Sequence, residues 1–239
     1  MSPERKCITV LLLPGLDGTG QLFEPMMRSA PSGFAVCPVS YPSVSTTITD
    51  IVSIVKQQQP EEHWIAVAES FSGPIAVQLA ASQPVGLVGI VLVATTAKWT
   101  RRRWLRLLPL RLLLYLGVQT PLLRWLLLGR SAPAALVAET RKVIGSIPIK
   151  TLALRLREFV RTDVTAELGR LSLPVLYLQA SEDRLMGNSE RESVLRGLPR
   201  AESYSVPGPH FLLQTNPKDA WAKIVGFVRP IVCKQVPST

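Results

Sequence analysis

Two serines stand two positions apart in AVAESFSGP, residues 66–74, where an apolar run gives way to helix-forming residues. A hydroxyl at such a junction can be a nucleophile, because a sharp strand-to-helix turn lifts its tip residue clear of the backbone. The residues two before and two after the tip pack close together and must be small. For Ser70 these are Ala68 and Ser72. For Ser72 they are Ser70 and Pro74, whose ring crowds the turn. Ser70 is therefore the candidate nucleophile, and Ser72 and Gly73 open the helix. The N–H groups there, with that of Phe71, point toward negative charge at the tip. The competing reading makes ESFSGP a plain helix N-cap without chemistry.

A serine hydroxyl is a poor nucleophile at neutral pH unless a base, usually histidine held by a carboxylate, takes its proton. The chain has two histidines. His63 precedes the run WIAVAE, so it belongs at the far end of that strand from Ser70 and reads as a solvated loop residue. His210, in VPGPHFLLQTNP, follows the last strand signal, which places it at the same end of a sheet as Ser70. The carboxylate should follow another strand, and LPVLYLQASEDRLMG supplies Glu182 and Asp183. The order along the chain becomes Ser70, Asp183, His210. A tetrahedral oxyanion needs donors as well. LLLPGLDGTG offers them, since Gly15, Gly18 and Gly20 let the backbone turn sharply and expose N–H groups. The same loop does not fit the nucleotide patterns G-x-G-x-x-G or GK[ST], and Asp17 at its tip would repel a phosphate.

These residues require a frame that gathers loops at one rim. Strand signals fall at 7–14, 34–42, 64–69, 86–95, 173–180 and 202–208, and several are apolar throughout, as in parallel strands covered on both faces. Helix signals lie between them at 46–60, 73–84, 189–198 and 216–228, the last with Asn216 as N-cap and Pro217 at the first helical position. The first of these helices shows an apolar stripe at 48, 51, 52 and 55. The alternation predicts an α/β fold with a mostly parallel sheet of about six strands and helices on both faces. From Lys98 to Gly169 the texture changes to Leu and Arg, cut into short helices by Pro109, Pro121, Pro133 and Pro148. Residues 98–169 read as a helical insertion above the sheet, flanked by core segments 1–97 and 170–239.

Charge marks the same boundary. Residues 99–170 carry 14 Lys/Arg against 4 Asp/Glu, which accounts for the whole net charge of +10. The longest uncharged stretch there, 112–123, is twelve residues, where a membrane span needs about 20. Attachment to a membrane surface is weakened because Arg103, Arg106, Arg111 and Arg124 do not share one helical face. Cys7, Cys37 and Cys233 are too few and scattered for a disulfide framework, no Cys/His cluster suggests zinc, and mostly buried, reduced thiols are expected. MSPERK leads into an apolar run too short for a signal-peptide core, so a cytoplasmic location is expected, with peripheral membrane attachment as the variant.

Taken together, PGLDGTG after the first strand, AESFSG at the turn, ASED for the acid and GPHF for the histidine resemble the α/β-hydrolase superfamily over nearly the whole chain. LLPGLDGTG with ESFSGP is similar to small bacterial hydrolases. More distantly, it is similar to the carboxylesterases that demethylate pimeloyl-acyl-carrier-protein methyl ester. The resemblance implies Ser70 as nucleophile, Asp183 as orienting acid, His210 as base, and the backbone N–H groups of Leu16 and Phe71 as the oxyanion hole. Against the family pattern, two N-terminal edge strands are missing, Pro14-Gly15 replaces the usual His-Gly, and Ala68 and Ser72 replace the outer glycines of the turn.

The expected activity is hydrolysis of a carboxylic ester through an acyl-enzyme, with neither metal nor organic cofactor. A helical cap rich in Leu, with Trp99, Trp104 and Trp125, predicts an apolar substrate group. Its arginines either solvate an outer surface or dock an acidic acyl carrier protein or an anionic membrane surface. Nucleic acid is not an expected partner, since no aromatic-interleaved basic motif is present. Two alternatives stay open: a thioesterase or acyltransferase (or a lyase) using the same residues, and an inactive hydrolase-fold protein that binds a lipid or partner. Haloalkane dehalogenation is disfavoured because the turn would need a carboxylate where Ser70 stands.

Overall fold

The computed structural model describes residues 8–99 and 121–235. Arg101–Arg103, Trp104, Arg106, Pro109, Arg111 and most of the uncharged stretch 112–123 lie outside the described residues, as does Cys7. Six strands, β1 (Ile8–Leu13), β2 (Phe34–Pro38), β3 (Trp64–Glu69), β4 (Leu87–Val93), β5 (Val175–Ala180) and β6 (Glu202–Val206), form one sheet in the order β2-β1-β3-β4-β5-β6. Every neighbouring pair is parallel. The apolar runs read from the sequence are the inner strands: β3 is buried at all six positions, and β4 at all but its first. The edge strands β2 and β6 are only partly buried, because each lacks a neighbour on one side. Cys37 lies on that β2 edge and is exposed, contrary to the expectation of buried thiols.

Alternation along each strand divides the core into two layers. Leu11, Leu13, Ala66, Ala68, Ile90, Leu92 and Tyr177 face a layer shared with the helices α2 (Ile48–Gln57) and α3 (Gly73–Ala81), which follow the short α1 (Glu24–Arg28) along the chain. Val10, Leu12, Ile65, Val67, Val91, Leu176 and Leu178 face the opposite layer, closed by the helix Pro217–Gln235. The stripe expected on α2 is the buried one: Ile48, Ile51, Val52 and Val55 all enter the core. Thr47 caps this helix by accepting from the Asp50 N–H at 3.1 Å, so α2 starts two residues inside its sequence signal. Strand 34–42 ends earlier than expected, at Pro38, and strand 202–208 at Val206. Short helices at Glu24–Arg28 and Leu212–Thr215 have no counterpart among the sequence signals; each is barely one turn, too short to show a period.

Between β4 and β5 the described chain is helical: Pro121–Leu123, a π-helical turn Arg124–Leu128, then Ala134–Gly145, Ile149–Arg161 and Thr165–Leu168. The chain leaves and re-enters side by side. Lys98 and Asp163 form an isolated antiparallel bridge, the Val164 N–H donates to the Ala97 carbonyl at 3.0 Å, and the Lys98 ammonium pairs with Asp163 at 2.5 Å. Phe159, Val160, Val164 and Leu168 belong to the same buried cluster as α2 and α3, so the end of this segment is built into the main core. No described helix is long and apolar enough to cross a membrane.

Candidate functional site

β3 turns into α3 with only a single 3₁₀ turn, Ser70–Ser72, between them. To make that turn Ser70 adopts φ 52°, a left-handed conformation that costs a non-glycine residue about 1 kcal/mol or more. Two contacts hold it. The Thr95 hydroxyl donates to the Ser70 carbonyl at 2.5 Å, and Thr95 lies two residues past the end of β4. Gly73 lies so close to the same threonine that a Cβ there would approach Thr95 Oγ1 to 2.1 Å. Gly73 thus permits the close approach of α3 to β4 that makes the turn sharp.

The two serines have separated fates. Ser70 is partly exposed at the tip. Ser72 is fully buried, and its Oγ bonds both the Pro14 carbonyl and the Tyr41 hydroxyl, the latter at 2.8 Å. A carbonyl only accepts, so the Ser72 proton points to Pro14 and Tyr41 must donate to Ser72. Ser72 ties the turn to the glycine-rich loop instead of facing a substrate.

Loops after β5 and β6 deliver the other two groups. His210 Nε2 lies 2.8 Å from Ser70 Oγ, and Nδ1 lies 2.8 Å from Asp183 Oδ2. The remaining oxygen of Asp183, Oδ1, accepts from the N–H groups of Leu185 at 2.7 Å and Met186 at 2.8 Å. A carboxylate beside Nδ1 keeps the proton on that nitrogen, leaving Nε2 as the acceptor for the serine proton. The two loops are zipped together beyond the sheet, with Ser181 N–H to Val206 carbonyl at 2.9 Å and Glu182 N–H to Gly208 carbonyl at 2.8 Å. Glu182, the other acid considered, is exposed. His63 is exposed at the opposite end of β3.

The imidazole of His210 is buried, with 2 % of its surface accessible. Burial alone pulls its pKa down, but the Asp183 charge and hydrogen bond, joined by the more distant Glu69 charge, outweigh it and leave the pKa above 6.5. Glu69 is a group that sequence reading overlooked. It precedes Ser70, is 2 % exposed, and accepts from Gln214 Nε2 at 2.9 Å through Oε2, whereas Glu69 Oε1 and Gln214 Oε1 are buried without a partner. Desolvation pushes its pKa up from 4.5 to about 7, against the lowering effect of Gln214 and His210. Among the described residues, no group of three His, Cys, Asp or Glu gathers to hold a metal ion.

The segment between β4 and β5 grips these loops from outside. The Phe211 N–H, next to His210, donates to the Leu127 carbonyl at 2.8 Å. Arg184, next to Asp183, donates to the Trp125 carbonyl at 2.9 Å and stacks 4.7 Å over its ring. Both acceptors belong to the π-helical turn. Phe71, Phe159 and Trp99 form a buried aromatic cluster in the core layer of α2 and α3, with ring centroids 6.1 Å (Phe71–Phe159) and 5.5 Å (Trp99–Phe159) apart. Leu16, in the glycine-rich loop, packs against the larger core cluster to which these rings belong.

Arg155 departs furthest from expectation. The sequence reading treats the arginines of 98–169 as surface groups, yet this one is fully buried in the helix Ile149–Arg161. A signal existed: Leu152, Arg155 and Phe159 follow helical spacing, which puts the arginine on the apolar stripe.

Solved structures with this architecture share little sequence with the chain. A lipase-esterase related protein from Clostridium acetobutylicum superposes with a TM-score of 0.76 at 15% identity, covering 94% of this chain and 96% of its own. An enol-lactonase from Burkholderia xenovorans gives 0.76 at 14% identity, with 93% and 92% covered. An esterase from Exiguobacterium antarcticum gives 0.77 at 13% identity, also with 93% and 92% covered. No curated protein sequence matches the chain. The likeness fixes the architecture as the α/β-hydrolase fold. A family model described as serine aminopeptidase, S33, matches residues 38–206, which include Ser70 and Asp183 and stop just before the His210 loop. The chain is a member of that hydrolase family and, through it, of the α/β-hydrolase superfamily.

Proposed function

We propose that the chain is a serine hydrolase of carboxylic esters bearing an apolar group, with Ser70 as nucleophile, His210 as general base and acid, and Asp183 as the group that orients the imidazole. The carrying observation is the unbroken hydrogen-bonded chain Asp183–His210–Ser70, with 2.8 Å at each link. His210 Nε2 takes the hydroxyl proton as Ser70 Oγ attacks the ester carbonyl. The N–H groups of Leu16 and Phe71 receive the developing oxyanion. Collapse of the tetrahedral intermediate expels the alcohol, which leaves with the proton from His210. Water, deprotonated by the same nitrogen, then attacks the acyl-enzyme, and the carboxylic acid departs as Ser70 regains its proton.

The apolar preference rests on the leucine-rich composition of residues 98–169, the segment that joins β4 to β5. The family description raises peptide amides as a second substrate class, to be cleaved by the same groups. A panel of p-nitrophenyl esters of rising acyl length, run beside aminoacyl naphthylamides, separates the two. Esters of medium or long acyl chains should turn over fastest. Turnover should vanish in Ser70→Ala, and a fluorophosphonate probe should label Ser70 in the wild-type protein and not in that variant. Full activity in Ser70→Ala would remove the serine from this role.

A further inference from the structure

Arg155 is buried and bonds no carboxylate directly, although the nearby Asp17 charge favours its charged form. All five of its N–H donors are matched by backbone carbonyls: Nε to Ser45 at 3.1 Å, Nη1 to Leu16 at 3.2 Å and Asp17 at 2.8 Å, and Nη2 to Tyr41 at 3.3 Å and Pro42 at 3.0 Å. A guanidinium has five donors and no acceptor, so its capacity is used in full on two loops. One loop, 41–45, follows β2. The other is the glycine-rich loop after β1.

The carbonyls of that second loop are satisfied one after another. Pro14 accepts from the Ser72 hydroxyl, Gly15 from the Gly18 N–H at 3.1 Å, Leu16 and Asp17 from Arg155, and Gly18 from the Tyr41 N–H at 2.7 Å. In a planar trans peptide the N–H points opposite to the carbonyl of the preceding residue. Drawing Gly15 C=O toward Gly18 therefore turns the Leu16 N–H the other way. Arg155 holds the next two carbonyls, and Gly18 (φ 72°) leaves room for it: a Cβ there would sit 2.2 Å from Nη1.

We infer that Arg155 is a positioning residue for the oxyanion loop: by holding the Asp17 carbonyl it sets the peptide whose Gly18 N–H bonds the Gly15 carbonyl, and that bond in turn sets the direction of the Leu16 N–H. The inference rests on the reading of Leu16 as an oxyanion donor. It links the helix Ile149–Arg161, outside the sheet, to the stabilisation of the transition state. A residue with this role affects the tetrahedral state more than the bound ester, so its loss should appear in kcat. A lysine keeps the positive charge but presents three donors from one atom, and cannot span both loops.

The test uses the full chain with Arg155→Lys, checked by circular dichroism and a thermal melt. Fluorophosphonate labelling run to completion counts competent Ser70. The expected result is full labelling, kcat lower by about 10²-fold and KM changed by less than about threefold. The affinity for an alkyl boronic acid, a tetrahedral mimic, should fall in parallel with kcat, and the acid limb of the pH profile should not move, because Asp183–His210–Ser70 is untouched. Gly18→Ala disturbs the same contact from the loop side and should give the same signature. A folded Arg155→Lys protein with wild-type kcat and boronate affinity overturns the inference, as does a change confined to KM. If neither variant shows a cooperative melt, Arg155 is a structural residue only, and the positioning role falls. Failure of the underlying reading looks different: the wild-type protein itself would neither label at Ser70 nor bind the boronic acid.

Discussion

The rim of the sheet and the segment between β4 and β5 place their side chains by different means. At the rim, Ser70, Asp183 and His210 each follow a strand within a few residues, and the parallel register of β3, β4, β5 and β6 carries them to one edge. The helical segment has no ladder to set its position. Its end is buried in the main core through Phe159, Val160, Val164 and Leu168, and its polar ties to the loops are single contacts: Arg155 to five carbonyls, Leu127 to the Phe211 N–H, Trp125 to Arg184. A ladder spreads its constraint over many bonds, so no single one decides the geometry, whereas a clasp concentrates it in one side chain. The rim should therefore fail through chemistry and the helical segment through position.

Removing the Ser70 hydroxyl, the proposed nucleophile, gives the largest contrast. Ser70→Ala should lower ester kcat on the order of 10⁶-fold with the melting temperature nearly unchanged. A loss under tenfold in steady-state assays breaks the assignment. Asp183→Asn comes next, with a loss of about 10⁴-fold, since the amide leaves His210 free to hold its proton on the wrong nitrogen. It also carries a sign in pH. His210 must be neutral to act as base, and its pKa lies above the ordinary value, so wild-type kcat/KM should fall as pH drops through a point above 6.5. Without the Asp183 charge that limb should move to lower pH; a limb that stays put would detach the carboxylate from the imidazole.

Thr95→Val tests the strained turn itself. Losing the hydroxyl on the Ser70 carbonyl should cost about 1 kcal/mol in stability and about tenfold in kcat. Unchanged turnover would mean that the sheet alone holds φ at Ser70. Glu69→Gln probes the buried carboxyl that precedes Ser70. Because its folded pKa is raised from 4.5 to about 7, the wild-type protein loses stability as pH rises across that interval. The neutral variant should escape the loss and gain up to about 3 kcal/mol over wild type at pH 8 relative to pH 4, read from denaturation midpoints. Equal pH dependence of the two proteins would show that Glu69 ionises as freely as in water. Arg184→Ala should be the mildest, at most about threefold in kcat, because its bond to the Trp125 carbonyl is exposed at the surface and screened. A loss near that of Asp183→Asn would make the helical segment part of the chemistry and dissolve the contrast.

The sequence carried the sheet and its rim because both rest on local signals. Apolar runs of strand length marked β1, β3, β4 and β5, the spacing 48, 51, 52, 55 marked the buried face of α2, and small residues flanking Ser70 marked the turn. Choosing Ser70 over Ser72 needed only the bulk of Pro74. Choosing Asp183 over Glu182 was harder, for a loop has no period to say which side chain turns inward.

What remained hidden is what depends on distant chain segments meeting. Ser72 bonds a carbonyl 58 positions earlier, Thr95 braces a residue 25 positions before it, and Arg155 bonds carbonyls 138 and 139 positions away. Composition marked residues 98–169 as basic, and that average concealed one arginine that is buried. A solvated arginine and a buried one are the same letter in a sequence. Only the fold, by bringing five carbonyls around a single guanidinium, repays the desolvation of that charge and turns a surface residue type into an internal clasp.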